Sequence, residues 1–240
     1  MKRHTIGSAV IAVVGALLAP DIGHAALTVT NGTFGTTNRN AQYVDGGGWF
    51  ESTTSTNWVE GSWANPGSYA ATFPSGSGMA CLFDGATTNA YIYQSLGTID
   101  LSILGGSMSI SADFAEKADD TTVNCTFTVF AGNFTGAHGT DIAGGGLTTL
   151  FSRTLTATDQ GLTAASGNSS RAVGVAVNTS PINLTGLPVG TSVWLRIGRP
   201  SNGTGDVILD NVAVTTVPEP AGVLLGALGA LGLLRRKRIH

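Results

Sequence analysis

Ser107-Met108-Ser109-Ile110-Ser111-Ala112-Asp113-Phe114 alternates polar and apolar residues without a break. Successive side chains of a strand point to opposite faces. The pattern therefore sets Met108, Ile110, Ala112 and Phe114 on one side and the serines with Asp113 on the other. The period returns in 123–129, where Val123, Cys125, Phe127 and Val129 alternate with Asn124, Thr126 and Thr128. It returns again in 193–198, with Val193, Leu195 and Ile197 against Trp194, Arg196 and Gly198. Val207 to Val214 is a further apolar run rich in β-branched residues, and 27–31, 68–73, 79–83, 91–96, 147–156 and 172–178 read as additional strands. No stretch between the chain ends sustains a 3.6-residue apolar period. Glycine, Asn and Pro clusters separate the runs. Many short strands with turn signals between them predict an all-β, antiparallel jelly-roll-like β-sandwich, with Phe114, Phe127 and Leu195 in its core.

The two ends have a different composition. Met1-Lys2-Arg3-His4 is basic, residues 6–18 are apolar, and Gly23 and Ala25 are small residues where a signal peptidase reads. This is the pattern of a secretory signal peptide covering 1–25. The h-region is too short for a comfortable membrane span. At the other end stand Val217-Pro218-Glu219-Pro220, an apolar run over 221–234 made only of Ala, Gly, Val and Leu, and Arg235-Arg236-Lys237-Arg238. As a helix the run spans about 21 Å against a hydrocarbon core of ~30 Å. Snorkelling arginines and local bilayer thinning extend that reach. The basic cluster places the C-terminus in the cytoplasm and the domain outside. The expected organisation is a signal helix at 1–25, a β-sandwich ectodomain at 26–216, and a sorting or anchor segment with a short transmembrane helix at 217–240.

Between Ala26 and Val217 there are 13 acidic and 6 basic side chains, a net charge of −7 that the whole-chain value of −3 conceals. Scattered cations on an acidic domain argue against nucleic-acid binding, which needs a clustered basic face. Cys81 and Cys125 both lie in the exported part. An oxidising compartment permits a disulfide, worth roughly 4 kcal/mol in the chain-entropy model. Two buried, unpaired thiols are the equal alternative, because spacing alone does not show that their Cβ atoms face each other.

The order Val-Pro-Glu-Pro, apolar run, basic end resembles the PEP-CTERM sorting signal of Gram-negative bacteria. The resemblance covers 217–238. It implies handling by an exosortase-type enzyme at the inner membrane, with Val217, Pro218, Glu219 and Pro220 as the recognition element and Arg235, Arg236, Lys237 and Arg238 as the retention element. It also implies a place at the cell surface or in an exopolysaccharide or biofilm matrix. Two prolines cannot join a helix or a sheet ladder, so the motif is expected to stay extended and open to a protease. The domain itself opens with Thr30-Asn31-Gly32-Thr33-Phe34 and closes with Asp210-Asn211-Val212-Ala213-Val214. That order resembles the galactose-binding-like jelly roll of many carbohydrate-binding modules, in which opening and closing strands pair. Such modules often carry an acidic residue after the opening Phe to hold calcium. Here that position is Gly35, which favours turn or backbone hydrogen bonding for Asp210 and Asn211.

Catalytic signals are sparse. The ectodomain has one histidine, His138, in a Gly-rich loop, and reads as an exposed loop residue. There is no nucleophile elbow, no H-E-x-x-H and no Cys/His metal spacing, so neither cofactor nor metal is expected. Asp113, Glu116, Asp119 and Asp120 form the densest acidic group, read as solvated carboxylates at a hairpin turn over 118–121, with calcium as the alternative. Trp49, Trp58, Trp63 and Tyr69 fall in one polar, Gly-rich stretch. Aromatic faces stack on sugar rings, which nominates Trp58 and Trp63 for carbohydrate contact. The competing reading is that the rings fill the core. The expected function is a non-enzymatic exported surface or matrix protein. The alternatives are a carbohydrate-binding module and a carboxylate-based glycosidase, which needs two convergent acids.

Overall fold

The structure, a computed structural model, describes residues 26–34, 48–52, 58–60, 80–82, 91–115, 124–162, 171–199 and 207–218; of 58–60, 80–82, 144, 171 and 207 it describes the backbone alone. The strands are β1 (Phe50–Glu51), β2 (Trp58–Glu60), β3 (Ala80–Leu82), β4 (Tyr91–Thr98), β5 (Ser107–Ala115), β6 (Cys125–Ala131), β7 (Thr148–Leu155), β8 (Arg171–Ala176), β9 (Ile182–Asn183), β10 (Ser192–Gly198) and β11 (Val207–Val217). They form two antiparallel sheets, ordered β1-β4-β10-β6-β7 and β2-β3-β11-β5-β8, with β9 beside the start of β5. This is the all-β sandwich that the period-two runs predict.

The core lies between the sheets. Met108, Ile110, Ala112 and Phe114 of β5 face Cys125, Phe127 and Val129 of β6 and Val193, Leu195 and Ile197 of β10. Phe114 and Phe127 meet edge to face across the layer, centroids 6.0 Å apart. Trp49 is buried against Phe34, stacked at 5.4 Å, and its indole N–H donates to the Asn31 carbonyl at 3.2 Å. Of the four rings singled out between 49 and 69, Trp49 therefore fills the core.

Three local expectations need correction. Residues 27–31 form no regular strand. Thr28 donates one backbone bond to Leu96, and the chain then turns, with Asn31 and Phe34 at φ 51° and 46°. The segment between β5 and β6 does not close a hairpin, because β5 belongs to the second sheet and β6 to the first. Asp113 is not a solvated carboxylate. It is buried, accepts from Gly174 N at 2.6 Å and from Asn211 Nδ2 at 2.8 Å, and so ties β8 and β11 to β5. Residues 116, 119 and 120 lie outside the described residues.

The opening and closing words do meet. A register shift in β11 between Asp210 and Ala213, with Asn211 at φ 49°, lifts Val212 out of the ladder with β5. Its N–H donates instead to the Gly32 carbonyl at 2.9 Å. Only glycine fits there, since a Cβ on Gly32 would collide with the Val212 carbonyl. Asp210 is buried and accepts from Asn211 N at 2.7 Å, the backbone role expected of it.

Candidate functional site

The outer face of the first sheet carries its side chains in register. Pairing runs across it in two rows. One is Tyr91, Gly198, Thr126 and Thr154; the other is Phe50, Tyr93, Arg196, Thr128 and Ser152. Each row follows from alternation, because residues flanking the core-facing Ile92, Ile197 and Phe127 must point the other way. Strand spacing of about 4.8 Å then brings neighbours in a row into contact.

At one side of this face the rings of Tyr93, Phe130 and Trp194 gather with Phe50, Phe134, Ile142 and Leu147. Phe134 meets Trp194 edge on at 5.5 Å, and Phe50 stacks on Tyr93 at 5.5 Å. The connection from β6 to β7, residues 132–147, folds back over them. Tyr93 Oη donates to the Ala137 carbonyl at 2.7 Å and accepts from Ala137 N at 3.1 Å; Trp194 Nε1 donates to the Gly132 carbonyl at 3.3 Å. Gly136 lies so close on the Phe50 ring that a Cβ there would clash. Burial holds the Tyr93 phenol above its ordinary pKa, against the lowering effect of the Ala137 bond, and the Asp141 carboxylate adds to the rise.

Beside this cover the face is polar. The Arg196 guanidinium lies flat over the Tyr91 ring, 3.3 Å from its centroid, and Nη2 donates to Asp141 Oδ2 at 2.7 Å. Arg196 Nε is buried and has no hydrogen-bond partner among the described residues. Gly198 stands between Tyr91 and Thr126 in its row, and both it and Tyr91 are buried. Hydroxyls continue outward, Thr126 to Thr154 at 2.8 Å and Thr128 to Ser152 at 3.3 Å. A planar cation on an aromatic ring, a carboxylate and a hydroxyl ladder together suit a neutral, hydroxyl-rich ligand.

Sequence reading missed this surface. The signal was present in the outward positions of the alternation: Tyr91 and Tyr93 on β4 and Trp194 on β10 are large rings out of phase with the core. The nominated Trp58 lies on β2 of the second sheet with its backbone alone described, and Trp63 lies outside the described residues. His138 is an exposed loop residue, as expected; its Nδ1 accepts from Glu51 N at 3.3 Å.

Cys125 is a free thiol buried in the core, and Cys81 lies on β3 at the register position opposite Ile208. Burial raises the Cys125 pKa far above its ordinary value, outweighing the lowering bond from Gly198 N. Native Cys125 should therefore resist iodoacetamide at pH 8 and react once the chain is unfolded, with no reductant needed. A need for reductant would mean that Cys125 is paired with Cys81. The sign of the pH effect follows. The folded state keeps the thiol proton after the unfolded state has lost it, so stability falls as pH rises above about 8.5, by ~1.4 kcal/mol per pH unit at most. Cys125→Ala should flatten that slope in urea titrations between neutral and alkaline pH.

Val217 is the last residue of β11, paired with Ser107, and Pro218 follows it directly out of the sheet. Glu219, Pro220 and the cluster from Arg235 to Arg238 lie outside the described residues. Among the described residues no helix is long and apolar enough to cross a membrane, and no group of three or more metal-binding side chains occurs.

Residues 216–238 match the PEP-CTERM protein-sorting motif. The match begins on the last two residues of β11 and ends on Arg238. A motif of this kind marks an exported protein that passes a membrane and is processed by exosortase. No curated protein matches the chain by sequence. Among solved structures, a cyclase from Fischerella sp. TAU is 15% identical, covering 80% of this chain and 99% of its own, with a TM-score of 0.48. A CBM4 structure is 16% identical over 79% of this chain and 99% of its own, TM-score 0.38. The family 11 carbohydrate-binding module of the cellulase Lic26A-Cel5E of Clostridium thermocellum is 12% identical over 72% and 90%, TM-score 0.32. Neither ligand nor activity transfers from any of them at such identities.

Proposed function

We propose that the chain is a non-enzymatic component of the cell surface or exopolysaccharide matrix of a Gram-negative bacterium, with a structural or adhesive role. The carrying observation is that β11 runs without a linker into the sorting motif, so a folded sandwich is delivered wherever the motif is cut. Pro218 ends the ladder by lacking an N–H, which keeps the residues after it available to a protease. The test is intact mass and fractionation of the native protein. We expect a mass short by both ends, and a chain that keeps its C-terminus and stays in the inner-membrane fraction after Pro218→Ala/Pro220→Ala. A mass that includes Arg235 to His240 regardless of the change would mean a permanent anchor.

A second reading, contact with neutral polysaccharide, is favoured by the strip of Tyr91, Arg196 and Asp141 with its hydroxyl ladder. Glycan-array binding should drop at least tenfold in Arg196→Ala, a loss of about 1.4 kcal/mol. If binding instead survives there and is lost in Trp58→Ala or Trp63→Ala, the sugar site is the one nominated from the sequence. Silence of the native protein on all matrix polysaccharides would end this reading.

A further inference from the structure

We propose that one end of the sandwich is a lipid-contacting surface that rests on the headgroup layer of the membrane holding the C-terminal run. This builds on the reading of the tail as a membrane segment.

Among the described residues, three segments bond or pack together at that end: the β4–β5 loop, the β9–β10 loop and the exit of β11. Their contacts are direct. Gly190 N donates to the Ile99 carbonyl and Ile99 N to the Thr191 carbonyl, both at 2.8 Å. Leu184 N donates to the Gly106 carbonyl at 2.9 Å, and Thr185 Oγ1 to the Gly105 carbonyl at 3.1 Å. Gly106 packs so tightly under the Val217 carbonyl and the Pro218 Cα that a side chain there would clash with the backbone.

The described residues include five exposed large hydrophobics, and four of them are here: Leu101 at 80%, Leu104 at 40%, Val189 at 53% and Val217 at 53% exposure. Scattered single hydrophobics are ordinary on any surface; their concentration on one end is not. Charge is nearly absent as well. Over 98–106, 184–191 and 215–218 the one ionisable side chain is Asp100. Its carboxylate is turned inward, accepting from Ser102 N at 2.8 Å and Ile103 N at 3.3 Å. On a domain of net charge −7 this is an uncharged, apolar cap.

The tether identifies what covers it. Ala221, where the apolar run begins, is three residues beyond Pro218, so at full extension it lies at most about 11 Å away. The polar layer on each side of the hydrocarbon is roughly 5–8 Å thick. Even at full extension, loops packed on Val217 and Pro218 therefore stand no more than about 3–6 Å above the headgroups while 221–234 is inserted, and any shorter path of the tether sets them into that layer. The run is also short for the bilayer, about 21 Å against ~30 Å, which draws the domain further down. With the apolar loops buried at that depth, the contact should be hydrophobic and insensitive to salt, because no basic cluster is there to attract anionic lipid.

The test uses the full chain reconstituted in phosphatidylethanolamine–phosphatidylglycerol vesicles, with the photocrosslinker benzoylphenylalanine at position 101, 189 or 173. Val173 is the control, being 65% exposed on β8, away from these loops. All three positions are at the surface, so folding is not at stake. We expect phospholipid adducts from 101 and 189 at low and high salt, and none from 173. A chain that floats with the vesicles but gives no lipid adduct at 101 and 189 overturns the inference and leaves the tail reading intact. Adducts to a second copy of the chain overturn it in favour of self-association. A chain that does not float with the vesicles defeats the tail reading, and the inference with it.

Discussion

Phe127→Ala should remove about 3–5 kcal/mol of folding stability, the range for deleting a buried aromatic ring. Phe127 is fully buried on β6, the strand flanked by β10 and β7 in the first sheet. It is also the partner through which that sheet touches Phe114 of the second. The strand ladders run within each sheet and not between them, so packing of this kind holds their facing surfaces together. An edge-to-face pair adds roughly 0.5–1.5 kcal/mol beyond the area it buries. Because a domain of this kind has only 5–15 kcal/mol in total, the variant stands near the limit of folding. Urea unfolding followed by fluorescence would read the loss. Leu101→Ala, at an exposed position, should stay within about 0.5 kcal/mol of the native chain. If Phe127→Ala cost no more than that control, the two-layer core would be wrong.

Tyr93→Ala should have an effect of similar size but of a different kind. The ring is fully buried on the outer face of the first sheet, between Phe50, Phe134 and Trp194. Truncation costs about 3–5 kcal/mol of packing around the cavity. Its hydroxyl also makes both hydrogen bonds that clamp Ala137. Removing it should open residues 132–147 while the layer between the sheets stays closed. Hydrogen exchange would show this as lost protection over 132–147 with β5 and β6 unchanged. Tyr93→Phe isolates the clamp. It keeps the ring and gives up the two bonds, which should cost about 1–2 kcal/mol. Equal protection in the native chain and Tyr93→Phe, with loss in Tyr93→Ala alone, would mean that the ring and not the hydroxyl holds the loop down; equal protection in all three would mean that Tyr93 does not hold it.

These two residues mark where sequence reading works and where it stops. Phe127 could be placed because alternation fixes the facing of a strand without knowledge of its neighbours. The same logic placed Met108, Ile110, Phe114 and Leu195 inside. Tyr93 could not be placed in the same way. Alternation sends it outward, and outward normally means solvent; it is buried because a loop more than forty residues later folds over it. Asp113 fails for the same reason, since its partners on β8 and β11 are 61 and 98 residues away. The 27–31 segment is rich in strand formers, yet Asn31 and Phe34 turn it out of the sheet after a single bond. That the tail carries a sorting motif was legible at once, because targeting signals are read as linear text by other proteins and need no fold.

The position of β11 has a consequence in time. The last of the described strands is not at an edge. It sits between β3 and β5 and holds the opening segment through Gly32 and Val212. An exported chain crosses the membrane from its N-terminus, so most partners of β11 emerge long before it does. Until Val217 has cleared the channel the second sheet has a gap in its middle, and its neighbours lack a ladder partner. If the tail acts as the membrane segment proposed above, the apolar run is by then already entering the bilayer. On that reading, closure of the sandwich and arrest of the chain at the membrane are nearly one event. A truncation before Val207 would release a chain with exposed strand edges in its place, a substrate for aggregation or proteolysis and not a soluble version of the domain.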